Sequence, residues 1–283
     1  MAMVKGKIRV GHSPDADDAF MFYGIACGGV DTSGLTISHV VEEIQALNER
    51  SFRGELEVTA ISAYTYFEVA DKYTLMSCGA SIGDNYGPIL VTKKPAYSKD
   101  LKGKKIAVPG LHTTAYLTLK LFLEDFKEVV VPFDKILEAV EKGEVDAGLI
   151  IHEGQLTYKS LGFHKVADLG EWFYEMTKLP LPLGVDVIRK SLGRDIMRKT
   201  TRLLKDSIVY GLKHREEALK YAMKFGRGIE TPTADEFVGM YVNDFTVDMG
   251  RRGKEGLFFL HKAAVEAGLV KKTTGKIEFV DMH

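Results

Sequence analysis

Cysteine is scarce in this sequence, and so are tryptophan and proline. The chain of 283 residues has two cysteines, one tryptophan and eight prolines. Cys27 and Cys78 stand far apart, without a CxxC pair or a neighbouring histidine at metal-ligand spacing. Disulfide frameworks and cysteine zinc sites normally show such closely spaced pairs. We therefore expect two reduced thiols, no metal, and a fold held together by its hydrophobic core, for which this length is sufficient.

An excess of charge of one sign is also missing, as are long apolar runs. The 38 Lys and Arg residues are balanced by 39 Asp and Glu residues, so the formal net charge is −1. Nucleic acids and anionic membranes favour basic proteins, so neither is expected as the main partner. No stretch approaches the ~18 apolar residues of a membrane span. The charged first ten residues lack the apolar core of a secretion signal, so we expect a cytoplasmic protein.

A short apolar run predicts a buried strand that ends at a histidine. Residues 145–151 follow Gly143, and the run stops at His152 and Glu153. Buried strands of open α/β sheets end at the crevice where ligands bind. His152 is therefore a candidate general base with an ordinary pKa near 6.5, although a hydrogen-bonded structural histidine fits the same pattern. No role can be assigned to Glu153 from the sequence.

Polar side chains also follow other predicted strands. The first strand leads to Ser13, Asp17 and Asp18, and the third strand leads to Ser62. The turn after a first strand often forms one wall of a ligand site in α/β proteins. For the two acids, stabilisation of the following helix is an equal alternative, because acidic residues in a first turn interact well with the helix dipole.

A glycine-containing turn and a pair of hydroxyls precede a predicted helix in the middle of the chain. Thr113 and Thr114 follow Gly110 at the start of this helix. Free backbone N–H groups in a first turn, together with hydroxyls, can hold a carboxylate or a phosphate. Capping of the helix by a threonine is an equal alternative. The spacing is not that of a P-loop.

The order of the elements predicts two α/β lobes. Residues 101–152 read as β-α-β-α-β, a parallel unit in its own right, and the Pro-rich segment 179–184 is interpreted as a crossing back to the first lobe. We predict an α/β, two-lobed, periplasmic-binding-protein-like (type II) fold with a ligand cleft between the lobes, of the kind that closes by a hinge motion. The larger lobe comprises residues 1–92 and 184–283, with a helical C-terminal part, and the smaller lobe is the inserted segment 93–183.

Four segments of the chain resemble one enzyme family. They are Ser13-Pro14-x-x-x-Asp18-x-Phe20, Gly110-x-His112-Thr113-Thr114-Ala115-Tyr116, the segment 143–153 that ends in Ile-Ile-His-Glu, and Leu-Pro-Leu-Pro-Leu-Gly at 179–184. In this order and at these spacings they resemble 1,4-dihydroxy-6-naphthoate synthase, the menaquinone enzyme of the futalosine pathway. The His-Thr-Thr-Ala-Tyr and Ile-Ile-His-Glu segments are the specific ones.

The resemblance implies a carbon–carbon lyase that converts cyclic dehypoxanthinylfutalosine, a small aromatic carboxylate, to 1,4-dihydroxy-6-naphthoate without a metal or another cofactor. It also implies the roles of particular residues. The catalytic base of the family corresponds to His152. The implied substrate-binding residues are Ser13, Asp18, Ala60, Ile61, Ser62, Thr113 and Thr114.

The chain departs from the family pattern at two places. The family commonly reads Ser-Pro-Cys-Pro-Asn-Asp where this chain has Asp15, Ala16 and Asp17 before Asp18, and it has a lysine where this chain has Ala60. Both changes make the cleft less attractive to an anionic substrate. Two alternatives stay open: chorismate dehydratase, a related enzyme of the same pathway, and a non-catalytic protein that binds a small aromatic acid. The sequence gives no oligomeric state.

Overall fold

Two β-sheets flanked by helices form the molecule. The computed structural model describes residues 7–225, 230–270 and 275–282. The strands of the first sheet are β1 (Lys7–His12), β2 (Thr36–Val41), β3 (Val58–Ser62), β4 (Tyr73–Leu75), β5 (Ser81–Gly83) and β11 (Leu181–Arg189). Those of the second are β6 (Ile89–Thr92), β7 (Lys105–Val108), β8 (Lys127–Val130), β9 (Ala147–Ile150) and β10 (His164–Asp168).

The helices fall into three stretches of the chain. The helices between strands of the first sheet are α1 (Ala16–Met21), α2 (Tyr23–Ala26), α3 (Ile44–Phe52) and α4 (Ala63–Val69). Those that accompany the second sheet are α5 (Thr114–Phe122), α6 (Ile136–Glu141), α7 (Gly154–Thr157) and α8 (Leu169–Thr177). The C-terminal part contains α9 (Arg194–Lys213), α10 (Arg215–Ala222), α11 (Thr231–Tyr241), α12 (Asp244–Val247) and α13 (Gly250–Glu266).

Both sheets are mixed, and each contains a parallel part and an antiparallel part. In the first sheet, with the order β2-β1-β3-β11-β4, β1 runs parallel to β2 and β3, whereas β11 is antiparallel to β3, β4 and β5. In the second, with the order β10-β6-β9-β7-β8, β7 runs parallel to β8 and β9. The parallel unit predicted for residues 101–152 is therefore confirmed.

Two segments lie elsewhere than the sequence predicted. The strand β6, placed by the sequence in the first lobe, pairs with β9 and β10 and so belongs to the second sheet. The segment 179–184, predicted as a crossing back to the first lobe, contains the start of β11, with Pro182 opposite Ile82 of β5 at a register shift. A proline is tolerated at such an irregularity because the ladder is already interrupted there.

The chain therefore crosses between the sheets after β5 and again before β11, a few residues from the predicted limits at 92/93 and 183/184. We refer to the parts around the two sheets as the first and second lobe. The division of the chain into these lobes is our proposal. Within the larger predicted lobe, residues 1–6, 226–229, 271–274 and 283 lie outside the described residues.

The first sheet is covered by apolar side chains on both faces, which explains why its central strands are fully buried. One cluster includes Phe20 of α1 and Ile208 of α9, and the other includes Tyr66 of α4 and Leu257 of α13. All five residues of β3 are buried. Burial of this apolar surface from water, at about 25 cal/mol per Å², is the main stabilising contribution to such a lobe.

The second lobe fixes the position of β9, the strand that leads to His152. A Cβ atom on Gly148 in β9 would lie 2.5 Å from Cγ2 of Ile136 and 2.9 Å from Cγ2 of Val140, both on α6. A glycine is therefore required for the close packing of α6 on the strand. Since close-packed interiors deform little, the end of β9 is held rigidly.

Glu57, immediately before β3, ties three strands of the first sheet together. Its buried carboxylate accepts hydrogen bonds from the Arg9 side chain of β1 at 2.8 Å and from Arg189 at the end of β11 at 2.9 Å. Burial by itself raises the pKa of Glu57, but the hydrogen bonds and charge of Arg9, with the charge of Arg189, outweigh it and hold the pKa below its usual value.

We expect Glu57→Gln to lower the free energy of unfolding at pH 7 by about 1–3 kcal/mol, since two arginines lose a charged acceptor. A carboxyl group whose pKa is lowered in the folded state stabilises above its unfolded pKa of about 4.3, and this contribution is lost as the pH falls through the folded value. Urea unfolding from pH 7 to 3 measures the difference between wild type and variant. Exposed Glu124→Gln is the control, and an equally small effect of both substitutions would contradict the assignment.

Candidate active site

A cleft between the two lobes brings the sequence-predicted site residues together. The space between its walls, including the part that is open to solvent, is about 730 Å³. The ends of β1, β3 and β9 and the start of α5 form its walls. All of the residues predicted for the site line it: Ser13, Asp18, Ala60, Ile61, Ser62, Thr113, Thr114 and His152.

His152 stands at the turn between β9 and α7 and is held from two sides. Its Nδ1 atom lies 2.9 Å from Oδ2 of Asp15, and its ring centroid lies 4.1 Å from that of Phe133. Only 13% of its side chain is exposed. Its Nε2 atom is buried and has no hydrogen-bond partner among the described residues. One ring nitrogen of His152 is therefore engaged with Asp15, and the other is buried without a partner among the described residues.

The backbone of His152 is in the left-handed region, with φ of 62°. This conformation is uncommon for a residue other than glycine and costs about 1–2 kcal/mol. Asp15 and Phe133 contact the imidazole in this conformation and contribute to holding it. Strained backbone of this kind is concentrated at functional sites.

The charges around His152 change its protonation. Burial lowers the pKa of the imidazole, but the charge and hydrogen bond of Asp15, with the charges of Glu153 and Asp17, outweigh this and raise it to about 9. The expectation of an ordinary pKa near 6.5 is therefore wrong for this histidine. At neutral pH it is an imidazolium group paired with Asp15.

The acids of the first turn line the cleft, and the structure shows no side-chain cap on α1. Asp18 accepts a hydrogen bond from the backbone N–H of Ser13 at 2.7 Å, and Asp15 accepts one from the hydroxyl of Ser13 at 2.6 Å. Burial, together with the charges of Asp18 and Asp15, raises the pKa of Asp17 well above its usual value. Burial likewise raises the pKa of Asp18. The cleft is therefore less negative than its sequence suggests.

The two threonines use their hydroxyls to hold the backbone. Thr113 caps α5 by accepting a hydrogen bond from Tyr116 N at 3.2 Å, so the capping alternative is correct for its side chain. Thr114 donates to the carbonyl oxygen of Leu183 in β11 at 2.6 Å and accepts from Tyr64 N at 3.2 Å. The start of α5 is thus fixed against the first lobe, with the first backbone N–H groups of a helix at the cleft.

Asn48 of α3 is a positioning residue that the sequence analysis missed. It is fully buried, and its amide oxygen accepts from Ser62 N at 2.9 Å. Its amide nitrogen donates to Ser62 Oγ at 3.1 Å and to the carbonyl oxygen of His112 at 3.3 Å. One side chain therefore links the end of β3 to the loop before α5. A polar residue beside Leu47 on the apolar face of this short helix was the available indication.

Asp15, Gln155 and Tyr241 were also missed as parts of the cleft wall. The hydroxyl of Tyr241 in α11 donates to the side-chain oxygen of Gln155 in α7 at 2.8 Å. This bond joins the C-terminal helices to the element that follows His152. No local pattern marks either residue, because each is defined by a partner that is distant in the sequence.

Two kinds of feature are absent from the described parts of the chain: a group of metal-binding side chains and a helix that could cross a membrane. Within residues 7–225, 230–270 and 275–282, no three His, Cys, Asp or Glu side chains are grouped so that they could hold a metal ion. Over the same ranges, no helix has the length and apolar character needed to cross a bilayer.

Solved structures show the class of protein to which this fold belongs. The chain superimposes on the alkanesulfonate-binding protein SsuA of Xanthomonas axonopodis with a TM-score of 0.71 at 13% identity, covering 98% of both chains. It also superimposes on the periplasmic aliphatic sulphonate binding protein of Escherichia coli with a TM-score of 0.66 at 12% identity, covering 98% of this chain and 90% of the other. The predicted periplasmic-binding-protein-like fold is confirmed.

Closer relatives identify the family. A family model described as menaquinone biosynthesis matches residues 8–266. The chain is 38% identical to the 1,4-dihydroxy-6-naphthoate synthase of Thermus thermophilus over 93% of its length and 95% of the relative, and 34% identical to that of Streptomyces coelicolor over 93% and 94%. A crystal structure of an Archaeoglobus fulgidus protein matches with a TM-score of 0.91 at 48% identity, covering 95% of this chain and all of the other.

The chain belongs to the menaquinone-biosynthesis family that includes the 1,4-dihydroxy-6-naphthoate synthases, as its motifs predicted. It is an enzyme, and its class is that of a lyase.

We expect Asn48→Ala to lower the free energy of unfolding by about 1–3 kcal/mol, because the buried N–H of Ser62 loses its acceptor. Denaturant unfolding monitored by circular dichroism measures this loss. Glu49→Ala, at an exposed position of the same helix, is the control and should stay within about 0.5 kcal/mol of the wild type. If Asn48→Ala is no more destabilised than this control, the hydrogen bonds of Asn48 do not hold the cleft wall.

Proposed function

We propose that this chain acts in the cytoplasm as the carbon–carbon lyase that converts cyclic dehypoxanthinylfutalosine to 1,4-dihydroxy-6-naphthoate, with His152 as general base. The observation that carries the proposal is the position of His152 Nε2, which is buried in the cleft wall without a partner among the described residues. A base must reach the proton that it removes, and Nε2 is the ring nitrogen of His152 that Asp15 does not engage.

The start of α5 supports the binding of an aromatic carboxylate. Thr114 and Ala115 occupy the first two positions of the helix and line the cleft, and Ser62 stands at the end of β3 nearby. The N-terminus of a helix carries free N–H groups and the positive end of the helix dipole, both of which favour an anion. A carboxylate held there fixes the ring of the substrate relative to His152.

The raised pKa values of Asp17 and Asp18 remove an objection to this substrate. On sequence alone, an added acid in the first turn makes the cleft less attractive to an anion. Because burial raises the pKa of both acids, the cluster carries less negative charge, and His152 contributes a positive charge. The cleft is thereby compatible with an anionic substrate even though Ala60 stands where the family has a lysine.

The chemistry requires few groups. Cleavage of the carbon skeleton to leave an aromatic diol needs a proton to be removed and charge on oxygen to be stabilised, and aromatisation helps to drive it. General-base catalysis by the imidazole contributes about 10²–10⁴-fold to the rate. Orientation of the substrate by the fixed wall of Ser62 and α5 supplies a further part of the acceleration.

We expect His152→Asn to lower kcat by at least about 10²-fold, because the amide cannot accept the proton. Binding of the substrate should become weaker, because the positive charge of the imidazolium is lost, but should stay measurable. Single-turnover assays for the naphthoate product measure the rate, and calorimetry with the same variant measures binding. His164→Asn, an exposed histidine at the start of β10, is the control. A variant at position 152 that keeps a near-normal rate contradicts a catalytic role for His152.

The identity of the reaction is tested with the two substrates of the pathway. Purified protein given cyclic dehypoxanthinylfutalosine should release 1,4-dihydroxy-6-naphthoate, and protein given chorismate should release no 3-enolpyruvylbenzoate. The reverse result identifies a chorismate dehydratase. Binding of an aromatic acid without either product identifies a non-catalytic binding protein.

The pH dependence of the rate follows from the raised pKa of His152. Only about one imidazole in a hundred is neutral at pH 7 when the pKa is about 9. We therefore expect kcat/KM to rise about tenfold per pH unit from pH 7 towards a plateau above pH 9. Initial rates between pH 6 and 10 measure the profile. A plateau already at pH 7 would mean that His152 titrates near its ordinary pKa.

A further inference from the structure

We propose that Asp15 is a positioning residue for His152. Its carboxylate accepts a hydrogen bond from the N–H group at Nδ1, and this leaves Nε2 as the basic atom on the side of the cleft. This inference rests on the proposed function insofar as His152 is the base. It concerns a residue that neither the sequence motifs nor the relatives assign to the site. Its basis is the 2.9 Å distance between Oδ2 of Asp15 and Nδ1 of His152.

The carboxylate of Asp15 is itself fixed. It is 6% exposed and accepts a hydrogen bond from Ser13 Oγ at 2.6 Å, while Ser13 Oγ accepts one from Asp15 N at 3.2 Å. The backbone oxygen of Asp15 accepts from Ala19 N at 3.0 Å in the first turn of α1. The acceptor that meets His152 is therefore attached to a rigid turn between β1 and α1.

The position of Asp15 decides which tautomer of His152 exists. An ionised carboxylate can accept hydrogen bonds but cannot donate one. The neutral imidazole that is bonded to it must therefore carry its proton on Nδ1. The lone pair is then on Nε2, which has no partner among the described residues. Without this contact either tautomer is possible, and the one with its proton on Nε2 cannot act as a base toward the cleft.

Other ionisable groups also face His152, but their effect differs in kind. These are Asp15, which precedes α1, Asp17 in the first turn of α1, and Glu153 beside His152 itself. All three favour the imidazolium form by their charge. Phe133 packs on the ring without charge. Tyr241 from α11 is engaged with Gln155. Asp15 in addition forms a hydrogen bond with the ring, at 2.9 Å from Nδ1.

Asp15→Asn is the informative substitution because it keeps the shape and removes the charge. We expect three effects. The His152 pKa falls from about 9 towards 6.5, and its neutral form loses the preference for a proton on Nδ1. The value of kcat on the alkaline plateau, where the imidazole is neutral in both proteins, falls about 10²–10⁴-fold with little change in KM. The onset of activity should move to lower pH together with the pKa. Titration by ¹⁵N-histidine NMR, assigned with His152→Asn, measures pKa and tautomer without relying on turnover.

Two further variants separate position from charge. Glu153→Gln removes a neighbouring negative charge and should lower the pKa less than Asp15→Asn while leaving the proton on Nδ1. Asp15→Glu keeps the charge on a longer side chain and should restore part of the pKa, and it serves in place of Asp15→Asn if that variant does not fold by circular dichroism. A His152 in Asp15→Asn that keeps both its pKa and its tautomer overturns the inference.

These results are distinguishable from a failure of the proposed function. If His152→Asn retains turnover, His152 is not the base, whatever the NMR titration of the Asp15 variants shows. If His152→Asn is inactive but Asp15→Asn has wild-type kcat and an unchanged pH profile, the base is correctly assigned and Asp15 does not position it.

Discussion

The contact between the carboxylate of Asp15 and the imidazole of His152 determines the properties of the cleft. It is short, almost fully buried, and surrounded by further acids, so the charge of one partner sets the protonation of the others. The interaction overcomes the desolvation of the imidazole, which by itself favours the neutral form. An arrangement of a carboxylate and an imidazole in a low-dielectric wall gives a base that is strong and oriented, at the expense of its availability at neutral pH.

The remaining structure places the two partners. β9 is fixed by the packing of α6 on Gly148, and the turn after β1 is closed by hydrogen bonds of Ser13 with Asp15 and Asp18. The opposite wall is fixed by Asn48 and by the hydroxyl of Thr114. The same fold occurs in sulphonate-binding proteins, and in this chain a titratable pair stands in the wall of the cleft. Pre-organised groups of this kind are what catalysis requires in addition to binding.

The parts that local sequence determines could be predicted, and the parts that depend on distant partners could not. Apolar runs indicated the strands, and their ends gave the positions that line the cleft, including His152 and Ser62. The assignment of β6 to the first lobe was wrong, because an apolar run does not specify which strands it pairs with. The start of β11 was not predicted, because prolines normally argue against a strand. The predicted pKa of His152 was wrong because the pKa depends on Asp15, a residue that is distant in the sequence and shares no local motif with His152.

The two members of this pair belong to different lobes, since Asp15 follows β1 of the first sheet and His152 follows β9 of the second. If the two lobes separate in an open form, this contact is broken, and proton binding and lobe closure are then thermodynamically linked. If closure raises the affinity of His152 for a proton, a bound proton must favour the closed form by the same free energy. That contribution is complete below the pKa of a free histidine, about 6.5, and is lost as the pH rises through about 9. Alkaline solution thus weakens one of the ties between the lobes while it creates the neutral base.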